Sequence, residues 1–278
     1  MAIRDILVHL SEDPRNGAKI DVALQVAQRD GAHVTALYTL PPPQHLFYMG
    51  EYVPPEFYQR QIDEARAAAK KAKAEFEAAA AKQGVGAEWV ESERLPVDAI
   101  ETYGRAFDLL VLGQPDPDPE NPVLVPSGMD VLPHDISLRA GRPILAVPYA
   151  GSYPRIGRRV MVAWNGSREA TRAVHDALPF LTKAEHVTVY GINADRSRGT
   201  PGAELARHLA RHGVKVDVAN TVVEDMQAGE ALLSALADRS IDLLVMGAYG
   251  HSRLREVVFG GVTETILSSM TVPVLLSN

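Results

Sequence analysis

Cysteine is absent from this chain of 278 residues. Its absence excludes disulfide bonds, thiolate metal sites and thiol redox chemistry, and it fits a reducing compartment. The apolar runs are short as well, and none approaches the roughly 20 residues that a membrane-spanning helix needs. The N-terminal sequence MAIRDILVHLS places a charge pair before a short apolar run and lacks the h-region of a signal peptide. We therefore expect a soluble, cytoplasmic protein without a membrane partner.

Positive charge is also in short supply. The chain has 28 lysines and arginines against 35 aspartates and glutamates, and its formal net charge is −7. Proteins that bind duplex nucleic acid normally carry a basic patch or stripe, and none is obvious here, so nucleic acid is not an expected partner. A small anionic ligand is still compatible with this charge, because backbone N–H groups and helix N-termini supply local positive potential.

Several common catalytic and metal-binding motifs are missing. The sequence contains no P-loop GxxxxGKS/T, no dinucleotide-binding GxGxxG and no nucleophile elbow GxSxG. His208 and His212 stand four residues apart on one face of a predicted helix, a spacing that can hold zinc. Arg207 and Arg211 add positive charge beside them, which favours an exposed basic helix face. We assign no metal site and no catalytic residue.

The chain repeats itself at the level of short apolar segments. FDLLVLGQP at residues 107–115 nearly matches IDLLVMGAY at residues 241–249, and other segments match in the same order in each half. The simplest explanation is a duplicated domain. We predict one domain at residues 1–150 and a second at residues 156–278, joined by the glycine- and proline-rich sequence YAGSYPRIG.

Strand-like and helical patterns alternate in each half in the order β-α-β-α-β-α-β-α-β. Runs such as DLLVMG are apolar without alternation, which is typical of strands covered on both faces. The predicted fold class is therefore α/β, with two repeated doubly wound five-stranded parallel-sheet domains and right-handed crossovers. We expect the last strands, ILAVP and PVLLS, to pack together as an intramolecular pseudo-dimer that covers strand edges; a homodimer is left open.

Four glycines punctuate the sequence GAYGHSRLREVVFGGVTETI. Gly247 and Gly250 follow an apolar strand, and Gly260 and Gly261 precede a helix that is predicted to begin near Val262. Ligands of doubly wound sheets bind at the carboxyl ends of the strands. Glycine allows a ligand to approach the backbone closely, and a helix N-terminus attracts phosphate. The pattern favours a phosphate site, and the alternative is two tight turns without a ligand.

This stretch resembles the nucleotide-binding signature of the universal stress proteins. That signature runs Gly, two residues, Gly, nine residues, Gly and then Ser or Thr, and the spacing here matches at Gly247, Gly250 and Gly260. The resemblance covers the second half throughout and the first half more weakly, and the family includes a tandem, two-domain form. It implies a fold similar to that of the adenine nucleotide alpha hydrolases and an ATP, ADP or AMP site in the second half.

The resemblance also implies which residues contact the nucleotide. They lie in the turn after the first strand of the second half, at the ends of its second and fourth strands, and in the glycine-rich stretch. Ile192 would line the adenine, and Met246 and Gly247 would flank the ribose and phosphates. The full implied set is Ala163, Trp164, Asn165, Ile192, Met246, Gly247, Gly250, Gly260, Gly261, Val262 and Thr263.

The second half departs from the family pattern at two positions. Gly261 replaces the Ser or Thr after the third glycine, and Thr263 would replace the lost hydroxyl only partly. Asn165 replaces the aspartate of the first turn, which removes a charge. Mg²⁺ could accompany the nucleotide, but this change leaves no carboxylate that supports it. Trp164 could stack on the base or fill the site.

The first half departs further. Gly113 retains the glycine at the strand end, but the later glycines of the signature are not at the required spacing, and HLSED replaces the first turn. An insert, Pro41–Gln61, could be a lid, an interface or a surface loop. Acidic residues that would repel phosphate follow Gly113, namely Asp116, Asp118, Glu120, Asp130 and Asp135. We predict that this half binds no nucleotide or binds something else.

Three functions follow from these observations. By the resemblance, the protein is a universal stress protein that binds an adenine nucleotide in its second half and acts in the stress response through that state. The second interpretation is a slow ATPase or nucleotidyl-transfer enzyme that uses the same site. The third is an interaction scaffold without nucleotide, with a binding surface near the insert.

Overall fold

The computed structural model describes most of the chain. The described residues are 2–40, 55–115, 131–193, 200–224, 226–248 and 261–278.

Ten strands form a single sheet. The strands of the first half are β1 (Asp5–Leu10), β2 (His33–Thr39), β3 (Ala87–Ser92), β4 (Leu109–Gly113) and β5 (Ile144–Val147). The strands of the second half are β6 (Arg159–Ala163), β7 (His186–Ile192), β8 (Val216–Thr221), β9 (Leu243–Gly247) and β10 (Val274–Ser277).

Helices connect the strands in both halves. Those of the first half are α1 (Asn16–Asp30), α2 (Pro55–Gln83), α3 (Pro96–Gly104) and α4 (Pro133–Ala140). Those of the second half are α5 (Arg168–Leu181), α6 (Ala203–Arg211), α7 (Ala228–Asp238) and α8 (Val262–Ser269). Among the described helices, none has the length and hydropathy that crossing a bilayer requires.

The strand order is β3-β2-β1-β4-β5-β10-β9-β6-β7-β8. All neighbours are parallel except β5 and β10, which pair antiparallel with Leu145 opposite Leu275. Each half therefore repeats one doubly wound arrangement of five parallel strands, and the predicted fold class is confirmed. The expected pairing of the last strands is also observed, and it joins the two halves into one sheet.

Side chains alternate between the two faces of the sheet, as the geometry of a strand requires. Val160 and Val162 join the apolar cluster under α1, α2, α5 and α6, whereas Met161 joins the cluster under α3, α4, α7 and α8. Each cluster contains residues from both halves. The fold thus has two core layers that run the length of the sheet.

Each half has an aspartate, at matching positions of the repeat, that holds the start of its own first strand by hydrogen bonds. Asp242, just before β9, accepts hydrogen bonds from the backbone N–H groups of Gly157, Arg158 and Arg159 at 2.9–3.1 Å. Asp108 holds the same place before β4 and accepts from two N–H groups at the start of β1. The matching letters FDLLV and IDLLV therefore reflect a shared hydrogen-bonding role as well as shared strands.

The helices of the two halves also touch. Lys183 donates to the carboxylate of Asp30 at 2.6 Å, and the guanidinium of Arg29 lies 4.2 Å from the ring centre of Phe180. These contacts join the C-terminal ends of α1 and α5 on one face of the sheet.

The insert predicted at Pro41–Gln61 ends earlier than expected. Helix α2 begins at Pro55, so the last seven positions of the predicted insert, 55–61, are helical. Proline at the first helical position and Glu56 in the first turn both favour a helix start there. The preceding residues, 41–54, lie outside the described part of the chain.

Candidate functional site

The order of the strands reverses twice in this sheet. In the second half, β6 lies between β7 and β9, so the chain leaves β6 towards one neighbour and returns later on its other side. Such a switch point opens a crevice at the carboxyl ends of the two strands. The first half has the same feature between β1 and β4. The sequence-predicted site residues that the structure describes lie in the second half, at the ends of β6, β7 and β9 and at the start of α8.

The turn after β6 is held by its own polar side chains. The Oδ1 atom of Asn165 accepts a hydrogen bond from the backbone N–H of Ser167 at 3.0 Å, and Gly166 takes a positive φ of 74°. Ser167 then caps α5, because its Oγ accepts from the N–H of Ala170 at 3.1 Å. Asn165 and Ser167 thus have structural roles in shaping the turn, which sequence reasoning did not assign to them.

The predicted residues around the base divide between the two faces of the sheet. Ala163, Ile192 and Met246 all pack in the apolar cluster under α7 and α8. Trp164 packs in the opposite cluster, near Gly202 at the start of α6. Consecutive residues at a strand end point to opposite faces, so the sheet places Ala163 and Trp164 apart.

Gly247, at the end of β9, is enclosed by the start of α5. A methyl group built on this glycine would lie 2.6 Å from the backbone N of Ala170 and from the backbone C of Glu169. A methyl carbon at that distance from backbone atoms would force the helix to shift. The glycine is therefore required for the packing of α5 on β9, whether or not a ligand binds.

Helix α8 presents an N-terminus without a side-chain cap. Gly261 is its N-cap residue, with φ −59° and ψ 144°, and glycine has no side chain that could cap the first N–H groups. Thr263 in the first turn is buried, whereas Val262 is 37% exposed. The first N–H groups of a helix carry the positive end of its dipole. Gly250 and Gly260 lie outside the described residues.

The position of α8 is set by close packing on α7. A methyl group built on Gly229 would lie 2.7 Å from the Cβ of Thr265. Sequence reasoning missed this contact, because the two residues are far apart in the chain.

The crevice of the first half is a cavity of about 580 Å³ at the carboxyl ends of β1, β2 and β4. Lys19, on α1, reaches into it and is only 4% exposed. The stem of this lysine lies over Gly113, where a methyl group would be 3.3 Å from its Cδ. The glycine retained from the family pattern here makes room for a buried lysine.

Three charged side chains of this cavity contact one another. Asp13 accepts from Lys19 Nζ at 3.1 Å and from Arg15 Nε at 2.8 Å. Burial raises the pKa of Asp13, but the attraction of Lys19 and the hydrogen bonds from Arg15 outweigh it, so the pKa lies below its ordinary value. Burial also lowers the pKa of Lys19, and Asp13 offsets this only in part.

His9 is the buried titratable group of the cavity wall. Its Nε2 lies 3.0 Å from Thr39 Oγ1, and burial, followed by the charge of Lys19, lowers its pKa to about 3. Its imidazole is therefore neutral at physiological pH. Sequence reasoning missed both His9 and Lys19. Lys19 shares a helical face with the apolar residues Ala23 and Val26. A lysine on this apolar face was the signal in the sequence for a buried charge.

The structure also bears on the acidic residues after Gly113 and on the histidine pair of α6. Among the acidic residues predicted to repel phosphate, Asp135 lies in the first turn of α4, where a carboxylate favours the helix dipole, and the other four lie outside the described residues. His208 and His212 are in ring contact, with centroids 4.7 Å apart, and His175 of α5 lies 6.0 Å from His208. In the described part of the chain, no group of three potential ligands is arranged to hold a metal ion.

Comparison with known sequences identifies relatives of this chain. The sequence model described as "Universal stress protein family" matches residues 157–278. Universal stress protein Slr1230 of Synechocystis sp. is 27% identical over 183 residues, which are 64% of this chain and 61% of that protein. Universal stress protein MJ0577 of Methanocaldococcus jannaschii is 32% identical over 47 residues, 17% of this chain and 29% of that protein. The matches thus span less than two thirds of either relative.

Comparison of folds extends the similarity to both halves. The crystal structure of a universal stress protein from Archaeoglobus fulgidus covers 99% of this chain and 96% of its own, with a TM-score of 0.73 and 16% sequence identity. At that identity the similarity concerns the fold alone. The second half therefore matches the universal stress protein family in sequence, and the chain as a whole shares the fold of a solved universal stress protein.

Proposed function

We propose that the second half binds an adenine nucleotide, ATP, ADP or AMP, at the carboxyl ends of β6 and β9. The chain would then act in the stress response as a binding module whose state follows the nucleotide. The observation that carries this proposal is the N-terminus of α8, which opens without a side-chain cap at a switch point of the sheet. The similarity of residues 157–278 to the universal stress protein family supports it.

The two helix N-termini at this switch point differ in what they offer a phosphate. The hydroxyl of Ser167 already accepts from the N–H of Ala170 at the start of α5. The N-cap residue of α8, Gly261, has no side chain to act as such an acceptor, and Thr263 adds a hydroxyl in the same turn. We therefore place the phosphates at α8.

The adenine would use the apolar surface formed by Ala163, Ile192 and Met246. Ala163 and Ile192 are partly exposed at their strand ends, and Met246 is buried beneath the same cluster. Apolar walls with a few polar groups are typical of nucleotide-sized sites. Trp164 packs on the other face, so we assign it to the support of β6 and not to stacking on the base.

Asn165 offers little to a metal ion. Its Oδ1 is engaged by the backbone of Ser167, and an amide carries no charge. We therefore propose no residue of this turn as a Mg²⁺ ligand.

Thr263→Val tests the proposal directly. Gently purified protein is denatured and its supernatant is assayed for adenine nucleotide, and the thermal shift with millimolar ATP is then measured. We expect saturable binding by the native chain and affinity about tenfold weaker in Thr263→Val, since one hydroxyl contact is lost. The matched control is Thr182→Val, because Thr182 ends α5 and its hydroxyl bonds only Leu178 within that helix.

Three outcomes would contradict parts of this proposal. Absence of co-purified nucleotide together with no ATP-dependent shift would leave the scaffold interpretation in the lead. Equal loss of affinity in both threonine variants would mean that Thr263 does not contact the nucleotide. Release of ADP or AMP during the same incubations would identify the enzyme alternative.

Gly261→Ser provides a second test by restoring the hydroxyl of the family signature. The backbone of Gly261 has negative φ and extended ψ, which serine adopts without strain and prefers at an N-cap. We expect tighter ATP binding in this variant. Unchanged affinity would indicate that the nucleotide does not reach the start of α8.

A further inference from the structure

The cavity of the first half contains more buried cationic donors than acceptors. Lys19 and Arg15 share one carboxylate, that of Asp13, so the group carries a net positive charge. The Nη1 atom of Arg15 is buried and has no hydrogen-bond partner among the described residues. The ammonium of Lys19 has three N–H donors and, within the described part of the chain, makes one hydrogen bond, to Asp13. Buried donors of this kind require an acceptor.

We propose that this cavity binds a small organic molecule through a single carboxylate, held by Lys19 and Arg15. A carboxylate supplies the missing acceptor oxygens and balances the excess positive charge. Charge-assisted hydrogen bonds from ammonium and guanidinium groups to carboxylate are among the strongest that proteins make. The volume of about 580 Å³ is that of a small-molecule site, larger than an inorganic anion needs.

The cavity is built to keep Lys19 in place. Gly113 leaves space for the lysine stem, as a methyl group there would press on its Cδ. Arg15 is fixed by its bond to Asp13 and by contact with Tyr149, whose ring centre lies 4.4 Å from the guanidinium. A preorganised pair of cations of this kind loses little entropy when it binds an anion.

The rest of the wall selects against polyphosphates. Glu12 and Glu64 line the same cavity and are exposed, so they would repel a ligand with several negative charges. Thr39 and Ser11 are polar and line it as well. A ligand with one carboxylate and a neutral or cationic remainder is compatible with the cationic pair and with the two glutamates. This site is separate from the proposed nucleotide site, and neither proposal depends on the other.

Calorimetry and thermal shift on the full chain test the proposal with defined probes. The probes are lactate, gluconate, 4-aminobutyrate and glutamine, with lactamide as the uncharged counterpart of lactate, and with inorganic phosphate and ATP as the other anions. We expect at least one carboxylate to bind saturably and lactamide not to bind. Its affinity should fall at least about tenfold in Lys19→Met and in Arg15→Gln.

The matched control is Lys183→Met, because Lys183 pairs with Asp30 outside the cavity. Circular dichroism checks the fold of each variant, and Arg15→Gln decides if Lys19→Met fails to fold, since Arg15 is partly exposed. The proposal is overturned if none of the carboxylates binds at tens of millimolar, if lactamide binds as well as lactate, or if affinity is unchanged in both variants. Preference for phosphate or ATP, abolished by Lys19→Met, would also overturn it.

Discussion

At the level of single residues, the glycines that end β4 and β9 have different roles although they match in the repeat. Gly113 leaves room for the side chain of Lys19, whereas Gly247 lies against the backbone of α5. Side chains can adjust by small rotations and a helix backbone cannot. Gly247 should therefore be the less replaceable of the two, for a reason that is independent of nucleotide.

Gly247→Ala is expected to destabilise the protein by about 1–3 kcal/mol, the usual cost of overpacking. Urea unfolding in the absence of nucleotide measures this loss. Gly17→Ala is the matched control, because Gly17 is an exposed helical glycine with no atom within 4 Å of a built methyl group. We expect it to be neutral or slightly stabilising. Full stability of Gly247→Ala would show that α5 can move.

His9 should make the protein sensitive to mild acid. Its pKa is about 3 in the fold against an ordinary value of 6.5, so the unfolded chain binds more protons between these values. Stability therefore falls as pH drops through this window, by about 1.4 kcal/mol for each pH unit in its middle.

The test is the pH dependence of the free energy of unfolding between about pH 4 and pH 6. In His9→Gln we expect a smaller slope of the free energy of unfolding against pH, equivalent to about one proton fewer taken up on unfolding, because glutamine does not titrate. A native slope in His9→Gln would mean that other groups cause the acid sensitivity.

At the level of elements, the repeated aspartates anchor the first strand of each half. Asp242 accepts three backbone N–H groups and Asp108 accepts two. Asp242→Ala should cost about 1–3 kcal/mol in the free energy of unfolding, because it leaves these groups without their acceptor. Asp108→Ala should cost less.

Asp217→Ala provides the control for this comparison, since Asp217 is paired with His186 at the surface. Exposed pairs contribute little to stability, about 0–1 kcal/mol. Chemical denaturation of the three variants ranks them. An equal effect in all three would contradict the anchoring role.

Elements were the most predictable level of this protein. The start of α8 at Val262 and the apolar strand before it follow from local sequence alone, because burial on one or both faces imposes a regular pattern. The start of α2 was predicted seven residues too late. The signal at Pro55 and Glu56 was local too, but the proline-rich composition before it favoured a loop.

At the level of the whole molecule, the antiparallel pairing of β5 and β10 makes one sheet from two halves. Both apolar clusters cross this joint. We therefore expect the two halves to unfold in a single cooperative transition.

The chain offers one tryptophan in each half for this test, Trp89 and Trp164. Trp164→Phe leaves fluorescence that reports the first half, and Trp89→Phe leaves fluorescence that reports the second. For each variant, unfolding is followed by fluorescence and by circular dichroism, and the two unfolding curves of the same variant should coincide. Separate midpoints would show that the halves unfold independently.

Leu275→Ala extends the test to the joint itself. Leu275 is fully buried and lies opposite Leu145 of the other half. A cavity there should cost about 2–5 kcal/mol and lower the midpoints reported by both tryptophans. A lower midpoint reported by Trp164 alone would show that Leu275 stabilises only the second half.

The sequence by itself determined the absence of cysteine, the repetition of short apolar segments, the alternation of strands and helices, and the resemblance of the second half to the universal stress proteins. These features are recorded in composition and in the period of apolar residues, which depend on each element's own burial. The glycine spacing also located a candidate site, although two of its glycines lie outside the described residues.

Only the tertiary structure decided how the residues around the switch points meet. It placed Trp164 opposite Ala163, packed Gly247 on the backbone of α5, and joined Lys19, Asp13 and Arg15 around a cavity in the first half. The sequence could not show these arrangements, because each depends on the distance and direction between elements that are separated along the chain. Those distances are set by packing of the whole sheet and its helices, and local patterns carry no record of them.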